Sequence, residues 1–363
     1  MKPRTPAFCI ERAVHSAWQR KGLASTLLWP LSLIARAAIA RKQRRYRRHP
    51  ELVYRSALPV LVVGNIYVGG TGKTPVVIAL VQALQAQGWR PGIVSRGYGA
   101  RLGDAPRSGR GELDAREFGD EPALISASTN APIAVHPDRV RALRRLLRDY
   151  PEVDVVIADD GLQHLALGRD VEVVVQDARG IGNGRLLPAG PLREPASRLE
   201  TVDFLITNMQ AGLPDRAALA IPARQIIMRL WPSIVVHLAS GRELDWDAWL
   251  AEHRGQEASA AAGIGQPQRF FTMLEHAGAA LGTRLALPDH EAYESSPFAA
   301  LPQQPILITA KDAVKCRRFG DARLWVVHAA PEFSDPGWTD AAASMLRAAA
   351  RRKAAMADTP SRH

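Results

Sequence analysis

Residues 58–75 read Leu-Pro-Val-Leu-Val-Val-Gly-Asn-Ile-Tyr-Val-Gly-Gly-Thr-Gly-Lys-Thr-Pro. An apolar strand, 58–63, runs into a glycine-rich turn, and Lys73-Thr74 then open a helical stretch from Pro75 to Leu84. Glycine lets a backbone bend tightly enough to bring several N–H groups against a phosphate. A helix N-terminus adds a positive dipole end at the same point. The stretch therefore reads as a phosphate loop in which Tyr67, Val68, Gly69, Gly70, Thr71, Gly72, Lys73 and Thr74 line a nucleotide. Lys73 reaches the outer phosphates and the Thr74 hydroxyl holds Mg²⁺. The loop is a variant, because Tyr67 stands where the strict pattern has glycine, with Gly69 and Gly70 crowding the turn. Proline early in the helix is tolerated, and Gly88 is placed to cap its end.

Outward from this stretch, short apolar runs alternate with helical ones. Strands are expected at 91–95, 131–135, 153–160, 171–177 and 202–208, with a basic helix from Pro137 to Tyr150. Residues 101–117 read as a surface loop. Beyond Pro214 the pattern changes: 226–228 and 234–236 read as two paired strands, followed by a helix near Phe270 and strands at 306–309 and 324–327. This alternation predicts an α/β fold, a P-loop NTPase-like, mainly parallel sheet with helices on both faces, plus a second, smaller α/β lobe. The expected division is an N-terminal arm (1–55), a phosphate-loop core (56–210), a second lobe (211–335) and a C-terminal helix or tail (336–363).

Of the 363 residues 47% are hydrophobic, enough for a large core. The two cysteines, Cys9 and Cys316, make neither a disulfide framework nor a zinc pattern. The net charge of +11 lies entirely in residues 1–55, and the remaining chain balances 34 basic against 34 acidic residues. A nucleic-acid binder carries its basic face on the folded body, so that class is set aside. Within the arm, Gly22–Ala35 is uncharged and mostly apolar, and the cluster Arg41-Lys42-Gln43-Arg44-Arg45-Tyr46-Arg47-Arg48 follows. These 14 residues are too short to span a bilayer core of about 30 Å. Ser25, Ser32 and Arg36 fall near one helical face, with Leu27, Leu28, Leu31 and Ile34 elsewhere on the wheel. An interfacial helix whose basic flank meets anionic lipid is expected. A buried core helix and an Arg-rich transit peptide are the other readings of such a segment.

Asp159 and Asp160 end an apolar strand, where a phosphate-loop protein places its Mg²⁺ carboxylate. If the strand stays regular, their side chains point to opposite faces. Asp120, in Phe-Gly-Asp-Glu-Pro, reads locally as a helix cap. His290 reads locally as a structural or surface residue; Arg96 and Arg193, in Gly- and Pro-rich loops, suit phosphate contact, with surface solvation as the default reading.

Eight segments together resemble one family, the tetraacyldisaccharide 4′-kinases (lipid A 4′-kinases). They are GNIYVGGTGKTP (64–75), SRGYGA (95–100), FGDEP (118–122), DDGLQH (159–164), GNGRLLPAGPLRE (182–194), GIGQPQRFF (263–271), LPDHEAY (287–293) and ITAKDAVK (308–315). Ala100, Glu291 and Ala310 depart from the family's usual glycine, histidine and acid. The resemblance implies transfer of the ATP γ-phosphoryl group to the 4′-hydroxyl of a tetraacylated glucosamine disaccharide 1-phosphate, giving lipid IVA. It implies a peripheral enzyme on the cytoplasmic face of a Gram-negative inner membrane with the lipid acceptor as partner; anionic lipid is the partner expected from the arm's basic cluster, and no obligate protein partner is evident in the sequence. By the same resemblance Asp120 becomes the base and His290 its partner, Lys73 holds phosphates, and Thr74, Asp159 and Asp160 organise Mg²⁺. A membrane-associated phosphate-loop ATPase that drives conformational change or assembly is the alternative, separated by its lack of a lipid acceptor.

Overall fold

The computed structural model describes residue 18 and residues 20–100, 103–288 and 293–357. His290, the start of the arm and residues 358–363 lie outside the described residues. The chain divides into two compact units. One holds residues 1–208, 217–227 and 335–363; the other holds 209–216 and 228–334.

The first unit is built on a sheet of seven strands: β1 (Val60–Gly64), β2 (Pro91–Ser95), β3 (Arg107–Gly109), β4 (Ile133–Val135), β5 (Val155–Asp159), β6 (Val171–Asp177) and β7 (Phe204–Asn208). Their order is β7-β6-β1-β5-β2-β4-β3. All neighbours pair in parallel except β3 with β4. Buried on both faces, β1, β2 and β5 are apolar at nearly every position, as parallel strands must be. Residues 101–117, expected as loop, contain β3 and a short helix (Ala115–Phe118) that Asp114 caps from its carboxylate. A three-residue antiparallel edge strand leaves too little alternation to be read beforehand.

After the phosphate loop, the helix Lys73–Ala86 buries Val76, Val77, Leu80, Val81 and Leu84, each contributing about 1.5–3 kcal/mol relative to exposure. Gly88, at φ 85°, ends it and bonds back to the Gln85 carbonyl. The C-terminal segment holds a continuous helix, Trp338–Ala357. Trp338, Ala342, Ala343, Leu346 and Ala349 are buried, and the Trp338 ring meets Phe204 edge-on at 6.0 Å.

The arm folds as two helices, Leu23–Leu27 and Trp29–Arg48, with Pro30 in the first turn of the second, where proline is tolerated. Its amphipathicity is inverted relative to a core helix. The buried residues are Ser25 and Ser32, while Leu23, Leu27, Leu31 and Ile34 are 52–87% exposed. A buried core helix is therefore not what this segment is. Among the described residues no helix is long and apolar enough to cross a membrane.

The strands of the second unit are mostly parallel. β10 (Ala258–Ala262) pairs with β11 (Leu281–Ala286) and β12 (Ile306–Thr309), and β12 with β13 (Leu324–Phe333), all in parallel. The runs 226–228 and 234–236 are one strand, β8 (Arg224–His237), antiparallel to β13 and to the short β9 (Glu243–Asp245). Pro232 does not break it, because it sits opposite Ala329, where the register shifts in a bulge. Asp312, fully buried, accepts from the Gly263 amide at 3.0 Å, Thr309 Oγ1 at 2.6 Å and Tyr293 OH at 3.3 Å. Three of the sequence motifs thus meet on one carboxylate.

Candidate active site

β1 delivers the chain to Asn65, whose buried amide donates to the Gly69 carbonyl at 3.0 Å and to Thr71 Oγ1 at 3.3 Å. One side chain therefore ties the turn to its own end. Gly69 and Gly72 take φ values of 98° and 88°, which only glycine adopts freely. A Cβ at Gly72 would also collide with the Asn208 amide, which donates to the Thr71 carbonyl at 3.2 Å. Tyr67 is buried and pairs with Leu192, and the Val68 amide donates to the Pro191 carbonyl at 2.9 Å. Main-chain bonds on either side of Tyr67, from the Val68 amide to Pro191 and from the Arg193 amide to Ile66, fasten the loop to residues 191–193. Gly72 caps the helix without any side-chain hydrogen bond. The first-turn N–H groups face the loop with the positive end of the helix dipole, an arrangement suited to an anion.

Lys73, the first helical residue, stands 3.3 Å from Asp160 Oδ1, and Arg193 Nη1 stands 3.6 Å from the same oxygen. β5 ends at Asp159, and Asp160 is left-handed at φ 49°. The strand does not stay regular here, so the condition for opposite faces is not met, and Lys73 acts on both carboxylates. Asp159 is buried, and Ser95 Oγ donates to its Oδ2 at 2.8 Å. Burial pushes the Asp159 carboxyl above the usual range, against the pull of Lys73. Burial acts upward on Asp160 too, but Lys73 and Arg193 outweigh it and hold that group below the usual range.

Two arginines that the sequence did not single out brace this arrangement. Arg139 is buried and donates to the carbonyls of Asp160 at 3.2 Å and of His136 at 3.1 Å. Burial lowers its pKa to about 10, which leaves it a cation at neutral pH. Arg179 lies over the Tyr67 ring at 4.3 Å, pairs with Asp177 at 2.8 Å and donates to the Gly70 carbonyl at 3.2 Å. Neither stands in a motif of its own; Arg139 reaches Asp160 across 21 residues and Arg179 reaches Gly70 across 109, so no local signal marks either brace.

Asp120 is the first residue of the helix Asp120–Thr129; Gly119 is the cap, and no side chain caps that helix. The local reading of Asp120 as a cap is therefore corrected: its carboxylate is exposed and uncommitted among the described residues. Its neighbour Glu121, missed from sequence, lies in the field of Asp159, Lys73 and Asp160. Burial first and then Asp159 push its carboxyl upward. Thr74 is the second residue of its helix, and Arg96 is exposed directly after Ser95. The structure thus gathers Lys73, Asp159, Asp160 and Arg193, while His290 lies outside the described residues.

The loop bearing Arg193 is anchored to the arm. Ser32 Oγ donates to the Leu186 carbonyl at 2.8 Å and accepts from the Ala189 amide at 2.9 Å. Ser25 Oγ donates to the Ala189 carbonyl at 2.6 Å, and Lys42 reaches the Gln163 carbonyl at 3.0 Å.

Comparison with known proteins agrees with this arrangement. The profile of the tetraacyldisaccharide-1-P 4′-kinase family (LpxK) matches residues 24–347. A tetraacyldisaccharide 4′-kinase of Bordetella parapertussis is 54% identical over 343 residues, covering 94% of this chain and 98% of that protein. One from Pseudomonas aeruginosa is 45% identical over 332 residues, covering 90% and 95%. Among solved structures, the "apo" form of LpxK from Aquifex aeolicus, in complex with ATP, superposes with a TM-score of 0.72 at 23% identity, covering 89% of this chain and 99% of that one. A likeness at that identity speaks for the fold; the family profile and the curated relatives speak for descent. The chain belongs to the tetraacyldisaccharide-1-P 4′-kinase family.

Proposed function

We propose that this chain transfers the γ-phosphoryl group of ATP to the 4′-hydroxyl of a tetraacylated glucosamine disaccharide 1-phosphate, giving lipid IVA. Family membership supports the acceptor. The observation that carries the chemistry is Lys73 at an uncapped helix N-terminus, 3.3 Å from Asp160. Phosphoryl transfer is mostly positioning and electrostatic stabilisation, and this is where both are available.

In this reading residues 67–74 wrap the triphosphate of a P-loop NTPase-like core, and Lys73 and the helix N-terminus hold its outer oxygens. Thr74, Asp159 and Asp160 hold Mg²⁺. Asp159 Oδ1 is buried and accepts no hydrogen bond, which fits a hard cation, while Asp160 Oδ1 is shared by Lys73 and Arg193. Mg²⁺ is bound through one or two carboxylates plus substrate phosphates, so it fits a site where no three His, Cys, Asp or Glu converge among the described residues. When bound it neutralises charge on the phosphates. Asp120 accepts the proton of the attacking hydroxyl with His290 as its partner, and its exposed, uncommitted carboxylate supports that role. Arg96 and Arg193 contact the phosphorylated acceptor.

The arm lies on the cytoplasmic face of the inner membrane as a peripheral element. Its outward leucines and its basic cluster support this, each basic residue near an anionic surface contributing about 1 kcal/mol. The test is ATP consumption by the purified chain with and without the tetraacyl acceptor. Acceptor-dependent consumption with a phosphorylated lipid product is expected. Acceptor-independent turnover with no lipid product would favour the ATPase alternative.

A further inference from the structure

A cavity of about 770 Å³ opens beside the start of β1. Ser56 and Ala57, just ahead of β1, line it, as do Gly168 and Asp170, just ahead of β6. The phosphate loop leaves the other end of β1, five residues or roughly 16 Å away. The two sites therefore share no phosphate.

The charges of this cavity are unevenly committed. Asp170 is taken by Lys353 at 2.6 Å and by the Val60 amide at 2.8 Å. Glu172 is taken by Arg169 and Arg198. Arg47, Arg55 and Arg352 are exposed and make no ion pair or hydrogen bond from their side chains among the described residues. Much of the remaining wall is apolar, including Leu167 and Ala349. Three free guanidinium groups beside an apolar wall suit a phosphate attached to a hydrocarbon chain. Guanidinium forks phosphate oxygens, and each buried CH₂ is worth about 0.8 kcal/mol.

The source of that ligand follows from the helix that forms one wall. Tyr46 and Arg47 line the cavity, and the same helix presents Leu31 and Ile34 outward. At 1.5 Å per residue, Ile34 and Arg47 are roughly 20 Å apart, within the footprint of one helix lying on a bilayer. We propose that this cavity binds a single anionic glycerophospholipid of the membrane, its phosphate on Arg47, Arg55 and Arg352 and one acyl chain against the apolar wall. The proposal rests on the reading of the arm as membrane-facing, and it is tested apart from it.

The full chain is titrated calorimetrically with dioctanoyl phosphatidylglycerol below its micelle-forming concentration. Saturable binding of one lipid per chain is expected. Affinity should fall at least tenfold in the double variant Arg55→Gln, Arg352→Gln. Ala57→Trp, which adds bulk at an exposed lining position, should weaken it similarly and decides the matter if the double variant does not fold. Dioctanoyl phosphatidylcholine should bind at least tenfold more weakly, and glycerol 3-phosphate should show no binding. Equal binding of phosphatidylcholine, equal binding of glycerol 3-phosphate, or binding unchanged in both variants would overturn the proposal. Displacement by the tetraacyl disaccharide 1-phosphate would also overturn it, since the cavity would then belong to the acceptor site. Vesicle partition of the Leu27→Ser, Leu31→Ser variant is measured separately. Its loss without loss of the monomeric lipid confirms the two as separate properties; unchanged partition with monomer binding intact removes the membrane reading and leaves the cavity.

Discussion

The ammonium of Lys73 stands 3.3 Å from the carboxylate of Asp160, at the residue where β5 turns left-handed. A regular strand would send Asp159 and Asp160 to opposite faces. Asp160 instead takes a φ of 49°, both carboxylates lie in the field of one lysine, and Arg139 fastens the turn through the Asp160 carbonyl.

Lys73→Ala should lower turnover by several orders of magnitude while the protein stays folded, because electrostatic stabilisation carries most of phosphoryl transfer. Asp160→Asn keeps a residue that tolerates the left-handed turn, so its thermal midpoint should stay near wild type while turnover falls at least a hundredfold. Asp160→Val should in addition lose about 1–2 kcal/mol of stability from the strained backbone. Steady-state rates and denaturant melts of the three variants read this directly. Near-wild-type turnover in folded Asp160→Asn would remove that carboxylate from the chemistry.

Asp120 is exposed and caps nothing, so Asp120→Asn should leave stability unchanged within about 0.5 kcal/mol. Turnover should fall with little change in nucleotide affinity. If His290 works on the same proton, adding His290→Ala should cost less than the product of the two single losses, as in groups that act as a unit. Multiplicative losses would separate the two residues.

The arm makes two separable predictions. Ser32→Ala strips a buried hydroxyl that serves both the Leu186 carbonyl and the Ala189 amide, and should cost about 1–3 kcal/mol. Arg44, Arg45, Arg47 and Arg48 to Gln should leave stability alone and reduce partition onto anionic vesicles, with the wild-type binding weakening as salt rises. Sedimentation with vesicles and thermal melts distinguish them. Unchanged partition in the charge variant would show that the cluster does not serve the membrane.

His164 is held neutral. Burial first, and then the charge of Arg139, lower its pKa to about 4 from 6.5, against the opposing pull of Asp138. Its Nε2 accepts from the Arg139 amide at 3.3 Å, which a protonated ring cannot do. The unfolded chain takes up this proton near pH 6.5 and the folded chain only near 4. The stability is therefore complete above 6.5 and lost progressively as pH falls toward 4. His164→Gln, which also offers an acceptor, should flatten the fall in melting temperature across that window. An unchanged slope would contradict the assignment.

Much of this was legible from residues 58–75 and from the Val- and Ile-rich runs, since parallel strands buried on both faces must be apolar throughout. Lys73, Asp159 and Asp160 could be placed at strand and helix ends for the same reason. Other features depend on partners distant in sequence. Pro232 reads as a break until the bulge beside Ala329 is known, and the alanine-rich β10 has no strand composition at all. The left-handed Asp160, the brace from Arg139 and the clamp of Arg179 on Tyr67 are tertiary facts with no local periodicity to announce them.

The central claim is that the Lys73 site moves the γ-phosphoryl group onto the acceptor lipid. The most direct measurement supplies ATP isotopically labelled in its γ-phosphate, together with the tetraacyl disaccharide 1-phosphate, to the purified wild-type and Lys73→Ala proteins, and reads the lipid by mass. The account predicts a lipid heavier by one labelled phosphoryl group, fragmenting to place it on the 4′ position, in the wild type and essentially none in Lys73→Ala. Label released as free phosphate with the lipid mass unchanged, or equal transfer by both proteins, would contradict it.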